Sequence, residues 1–225
     1  MLFMFAPPCF FRHADLLHFS TVYAIMQTRQ KGGYAMLLYH ASGTAGIKTL
    51  EPRISNHGRA LVYFSQKREN TLVYLSNAIE RYCKSVSFEH KGPWQKWASY
   101  GFTKDGRLLL EEYYENALDE TYKGVSGYIY SVRSDASCVP QGDIPYACTS
   151  GSAMPVAGCE FVEDAYAALI EAESAGLICI RRYAELSKST LAFIERVIPK
   201  EYANAQSAPD YRLFLRAKFK DILRL

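Results

Sequence analysis

This chain has no Cys-x-x-Cys pair, no histidine set at ligand spacing, no long unbroken apolar run and almost no excess of charge of one sign. Each absence closes a class of function. The six cysteines, Cys9, Cys83, Cys138, Cys148, Cys159 and Cys179, form no zinc-ligand pattern, and His57 and His90 have no companions, so no metal site is expected. A chain of 225 residues without a cysteine framework reads as reduced and cytoplasmic, its thiols buried as small apolar groups. The 26 basic and 23 acidic residues leave a net charge of only +3, which gives no electrostatic footing for nucleic acid or an anionic membrane. A membrane span needs roughly 18 consecutive apolar residues, and none is present. P-loop, GxSxG, HExxH and GxGxxG patterns are also missing, which removes support for Walker-type phosphate transfer, α/β-hydrolase and Rossmann readings.

What is present is an ordinary apolar fraction, 49%, enough for one domain with a proper core. Tyrosine is abundant, 17 residues, many beside turns, where an apolar ring with a polar tip suits either a strand or a half-open pocket. Residues 1–35 differ from the rest. "MLFMFAPPCFFRHADLLHFSTVYAIM" is apolar but broken by Pro7, Pro8, Arg12, His13, Asp15 and His18, and it lacks a basic signal-peptide start. "KGGYAM" follows, and Lys-Gly-Gly is encodable by a purine run resembling a bacterial ribosome-binding site just ahead of Met36. The expectation is that residues 1–35 are a mis-assigned extension, disordered or loosely attached. The domain is then 36–225, with 23 basic and 22 acidic residues once Arg12, Arg29, Lys31 and Asp15 are set aside.

From Met36 onward the pattern is α+β. Leu37–Tyr39 and Leu61–Ser65 read as short strands, and Leu72, Leu75, Ile79 and Tyr82 at helical spacing predict a helix over 69–84. "YGFTKDGRLLLEEYY" predicts a hairpin around Asp-Gly, "ENALDETY" a helical turn, and "SGYIYSV" and "AMPVAGCEF" strands. "VEDAYAALIEAESAG" is a helix with acids at its start and Gly176 at its stop, followed by the strand "LICIRRY". Two C-terminal helices close the chain, the first capped by Ser187 or Ser189 and the second spanning "DYRLFLRAKFKDILRL". In that last helix Arg212, Arg216, Lys218, Lys220 and Arg224 read as a solvated face. "KGPWQKWASYGF" sets Trp94, Trp97 and Tyr100 beside Lys91 and Lys96, a mixture that suits base stacking, a lid or plain core.

One constellation stands out. "YHAS" places His40, Ala41 and Ser42 at a strand end, and "VYFSQKRENTLVYLS" places Tyr63 on a second strand with Thr71 and Tyr74 following on a helix. These segments resemble the ADP-ribosyltransferase-like superfamily, in its His-Tyr-Glu branch, and are similar to the poly(ADP-ribose) polymerase catalytic core. The resemblance covers about 40 residues of the domain. It implies a small split-sheet α+β core that takes NAD as substrate, releases nicotinamide and passes ADP-ribose to a protein or nucleic-acid acceptor. Bond breaking there has an oxocarbenium-like transition state, as in glycoside hydrolysis. In this reading Tyr63 and Tyr74 sandwich the cationic nicotinamide ring, Thr71 bonds its carboxamide, His40 bonds the 2′-hydroxyl of the adenosine-side ribose beside Ser42, and Arg53, with Arg59 in the same loop, meets the pyrophosphate. The third element is a carboxylate that stabilises charge at the anomeric carbon. The strand "TSGSAMPVAGCEF" offers Ser150 and Ser152 at its entrance and no acid before Glu160, so Glu160 is the candidate, with Glu111 and Glu112 of the hairpin as alternatives. Two other readings stay open: an RNA 2′-phosphotransferase on the same fold, and a non-catalytic nucleotide-binding or interaction protein that keeps the fold.

Overall fold

Strand β1 (Leu37–Ser42) lies in the middle of the larger of two sheets, and the alternation of its side chains sets the two sides of the molecule. The computed structural model describes residues 36–54, 58–92, 98–142 and 144–225. The extension 1–35, His57, and the Trp94, Lys96 and Trp97 cluster lie outside the described residues. Around β1 the sheet also contains β2 (Thr49–Leu50), β3 (Arg53–Ile54), β4 (Ala60–Ser65), β7 (Gly127–Arg133), β8 (Cys138–Pro140), β9 (Ala147–Ser150) and β10 (Met154–Val162). Its order is β2-β10-β7-β1-β4-β9-β8, with β3 also paired to β4, and every pairing is antiparallel. A three-stranded sheet carries the predicted hairpin, β5 (Ser99–Phe102) and β6 (Leu108–Glu111), with β11 (Ile178–Arg181) parallel to β6. The hairpin turns at Asp105-Gly106, where Gly106 has φ +82°, a value that glycine adopts without a Cβ penalty.

Side chains alternate across a strand, so the large sheet has two distinct faces. Leu38, Val62, Phe64, Tyr130, Val132, Cys148 and Met154 form a core on one face. Ala41, Ile129 and Val162 turn to the other and join the helices and the small sheet. Full burial of such a side chain contributes roughly 1.5–3 kcal/mol, so two separate cores hold the sheet from both sides. The first core is enclosed by curvature. The link between β9 and β10 is only residues 151–153, yet those strands are four positions apart in the sheet order. From Ser150 to Met154 the chain reaches at most about 14 Å. Four strand spacings in a flat sheet would need about 19 Å. The sheet therefore curls, and its far ends meet: Ser137 Oγ lies 2.8 Å from Ser150 Oγ and 3.6 Å from Met154 Sδ. The expected single strand "TSGSAMPVAGCEF" is thus two strands on opposite flanks of the sheet.

The helices are α1 (Ala78–Ser85), α2 (Ala117–Tyr122), α3 (Ala165–Ser174), α4 (Lys188–Asn204), α5 (Pro209–Lys218) and α6 (Lys220–Leu223). The predicted helix over 69–84 is divided. Residues Glu69–Tyr74 form a 3-10 helix, and α1 restarts after Asn77, whose side chain accepts from the Ile79 and Glu80 amides. Asp164 caps α3 in the same way and also accepts from Gly124 N, while Ser187 caps α4. The final predicted helix breaks at Phe219, which leaves helical geometry (φ −128°) and is buried.

Candidate functional site

β1 and β7 pair over the full length of β1, but β1 and β4 share a single bridge, Tyr39↔Ser65. Beyond it the strands part, and the His40 side chain occupies the opening: its Nδ1 lies 2.9 Å from the Tyr63 carbonyl oxygen. A carbonyl only accepts, so Nδ1 carries the proton and Nε2 presents a lone pair. Burial lowers the His40 pKa, the Tyr63 carbonyl raises it and the Arg53 charge lowers it, with a net fall, so the ring is neutral at pH 7. Phe64 backs it edge-on, centroid to centroid 6.1 Å. His40 was expected at the strand's end; β1 instead runs two residues further, to Ser42.

Tyr63 points to the face opposite Val62 and Phe64, which belongs to Ala41 and Ile129. The 3-10 helix Glu69–Tyr74 rests on that same face, its Leu72 and Val73 buried in the helical core. Tyr63 and Tyr74, 38% and 55% exposed, are therefore open phenols on one side of the sheet. Gly127 permits this docking, because a Cβ there would stand 2.6 Å from Leu75 Cδ2. Thr71 departs from its expected role. It is buried, and its hydroxyl donates to the Arg68 carbonyl at 2.6 Å, closing the turn rather than facing an open slot.

Glu160 reaches the same face through an irregularity. β10 pairs with β7 as Val156↔Val132 and then Gly158↔Ser131, so one residue is bulged out. Without that bulge Glu160 would share the face of Met154 and Val156; with it, Glu160 stands beside Ile129, which in turn pairs with Ala41. Arg68, just ahead of the 3-10 helix, grips its carboxylate with two bonds, Nε to Oε2 at 2.8 Å and Nη2 to Oε1. The Arg68 hydrogen bond holds the Glu160 pKa below its ordinary value, against the opposing effect of burial and with help from the guanidinium charge. Arg68 is the residue that reading the sequence missed; nothing in "SQKREN" separates it from Lys67.

The alternative acids are accounted for elsewhere. Glu111 pairs with Arg181 at 2.8 Å. Glu112 is buried and accepts from Leu118 N at 2.7 Å and Tyr183 N at 3.0 Å, tying β6 to α2 and to the segment after β11. Both stand on the small sheet, away from His40 and Tyr63. Arg53, on β3, is exposed and near enough to His40 to disfavour its protonation; Arg59 is exposed in the same segment. Lys91 pairs with Glu89, and Tyr100 packs against the helical core with its hydroxyl 2.9 Å from that of Tyr122. Two concavities, of about 210 and 470 Å³, lie beside Glu112 and His90 respectively, not at this site. On the C-terminal helices Arg212 lies over Tyr202, and Lys218 pairs with Glu120 while lying over Tyr82 and Tyr114.

Among the described residues no group of three or more His, Cys, Asp or Glu side chains is placed to hold a metal, and no helix is long and apolar enough to cross a membrane. No family model matches the chain, and no curated protein and no solved structure matches it either.

Proposed function

We propose that the chain binds NAD at the split between β1 and β4 and transfers ADP-ribose to an acceptor, releasing nicotinamide, as an ADP-ribosyltransferase-like protein of a bacterial cytoplasm. One observation carries the reading: the β10 bulge turns Glu160 to the face that also bears Tyr63 and the turn with Tyr74, two strands away from β1 and the opening where His40 sits. In this arrangement the two phenols take the flat cationic ring between them. His40 Nε2 accepts from a ribose hydroxyl, and Arg53 meets the pyrophosphate. Glu160, kept ionised by Arg68, accepts from the hydroxyl of the nicotinamide-side ribose and stabilises positive charge at its anomeric carbon. The N-glycosidic bond breaks with its electron pair leaving on nicotinamide, and the acceptor's nucleophile attacks the same carbon. The acceptor class, protein or nucleic acid, is set by surfaces outside this slot.

A second reading is favoured by a specific contact. The Glu160 carboxylate is already doubly engaged by Arg68, which suits a protein that binds the dinucleotide without turning it over. Calorimetric titration with NAD, combined with a nicotinamide-release assay on wild type and Glu160→Gln, separates the cases. Release abolished by Glu160→Gln with binding retained supports transfer. Binding without release in either form supports the second reading, and no binding of NAD by the wild type sinks both.

A further inference from the structure

On the other face of the sheet, the pleat sets out a row that the nicotinamide slot does not use. Ser42 pairs with Tyr128, and Tyr128 with Phe161, so the three side chains stand side by side across β1, β7 and β10. The adjoining row, His40, Tyr130 and Cys159, shares that face. The Tyr128 and Phe161 rings are 5.3 Å apart between centroids and tilted by 50°, and Tyr128 continues into a stack with Tyr130 at 6.2 Å. Tyr130 is closed off: its hydroxyl donates to the Thr44 carbonyl and accepts from Ile47 N, holding the segment after β1 across it. Phe161 is open. It is 57% exposed, and β2 covers the outer edge of β10 only at Met154 and Pro155, leaving Cys159–Val162 without a strand partner there among the described residues.

We propose that Tyr128 and Phe161 form the platform on which the adenine ring of the dinucleotide stacks. The inference rests on the NAD reading above and extends it to the other end of the ligand. His40 lies on this face with its Nε2 lone pair unengaged by the Tyr63 bond, and Ser42 Oγ accepts from Thr44 N at 3.1 Å, which leaves its O–H to donate. A sugar held by these two groups carries its base on the same face. The diagonal step from His40 to Tyr128 is about 7–8 Å between backbone positions, within reach of a base bonded to that sugar. The pyrophosphate then passes beside the His40 ring that fills the gap between β1 and β4, and brings the nicotinamide end to the phenols. A purine meets an exposed aromatic surface at Phe161, and stacking there removes apolar area of both partners from water.

The test uses ADP-ribose, NAD and nicotinamide mononucleotide as separate calorimetric probes on wild type, Phe161→Ala and Phe161→Trp. Phe161 is exposed, so its loss leaves the fold intact, which a melting curve checks. Stacking of one base predicts that Phe161→Ala weakens ADP-ribose and NAD about tenfold, leaves the mononucleotide unchanged, and is reversed by Phe161→Trp. Equal affinity of wild type and Phe161→Ala for ADP-ribose overturns the platform even if NAD binds. Wild type that binds ADP-ribose but not the mononucleotide, with the Phe161→Ala loss, upholds the platform while removing the phenol slot. Wild type that binds no adenine nucleotide overturns both.

Discussion

Replacing Asp210 by asparagine is expected to cost about 3 kcal/mol of stability at neutral pH, and the cost should fade in acid. Asp210 sits in the first turn of α5 with its carboxylate buried. Oδ2 accepts from Lys91 N at 3.1 Å and Gly92 N at 2.8 Å, and Oδ1 accepts from Tyr211 N at 2.8 Å. His90 Nε2 stands 3.8 Å away. A Cβ at 92 would lie 2.9 Å from Oδ2, so any larger residue there must push the carboxylate off its amides. An amide keeps the shape but supplies one acceptor atom, so an NH₂ must face at least one of the N–H groups. Three bonds to a charge are worth roughly 1.5–3 kcal/mol each against about 0.5–1.5 for neutral ones, so a loss of about 3 kcal/mol follows. For a domain of this size that is a melting-point drop of about 6–12 °C. Burial pushes the Asp210 pKa up, but the N–H groups of Tyr211, Gly92 and Lys91, with His90, outweigh it and leave it lowered. A carboxylate with a depressed folded pKa contributes stability that is fully present above its unfolded value, about 3.9, and that disappears as pH falls through the lower folded value. Urea melts of wild type and Asp210→Asn at pH 7 and near pH 3 measure the gap. A gap under 1 kcal/mol at pH 7, or one that does not narrow in acid, refutes the account of this joint.

Three further outcomes are expected. Arg68→Ala should shift the acid limb of nicotinamide release to higher pH, because the Arg68 hydrogen bond is what holds the Glu160 pKa low, while stability changes by no more than about 1 kcal/mol for a pair this exposed; a pH–rate profile and a melt check both. Gly127→Ala should destabilise by about 1–3 kcal/mol, read in urea, because its Cβ would press Leu75 and the Ser42 carbonyl. Glu112→Ala should cost about 3 kcal/mol by leaving the Leu118 and Tyr183 amides without their charged acceptor, whereas Glu111→Ala should cost under about 1 kcal/mol; paired denaturation curves give the contrast.

The elements that carry a local signal were legible in the chain. Asp105-Gly106 announces the hairpin, Asp164 and Ser187 announce helix starts, and the alternation of "SGYIYSV" announces β7. Elements whose existence depends on partners were not. β2, β3 and β8 are two or three residues long and exist only as pairings with β10, β4 and β9. The separation of the 3-10 helix from α1 turns on Asn77, whose capping role the apolar spacing of Leu72, Leu75, Ile79 and Tyr82 masks. At the candidate site, the spacing among Tyr63, Thr71 and Tyr74 was visible, but their burial was not: two are open and the middle one is sealed. Glu160 looked far from the strand entrance because "TSGSAMPVAGCEF" reads as one strand, whereas β10 begins only at Met154, and its bulge, which decides the face, leaves no mark in the sequence. Arg68 could not be recognised, since its partner lies 92 positions away in the chain.

The bulge in β10 makes chain length, rather than residue identity, the quantity that decides where the acid ends up. Inserting one residue after Gly158 would leave every downstream letter unchanged yet exchange the destinations of Cys159 and Phe161 with that of Glu160, sending a carboxylate toward the oily lining and two apolar groups toward the helical face. Deleting the bulged Ala157, by contrast, would restore regular alternation and leave each of them on its present face. Few single substitutions could rearrange so much at once, so this strand should accept changes of side chain, and even the loss of its extra residue, far more readily than a gained one.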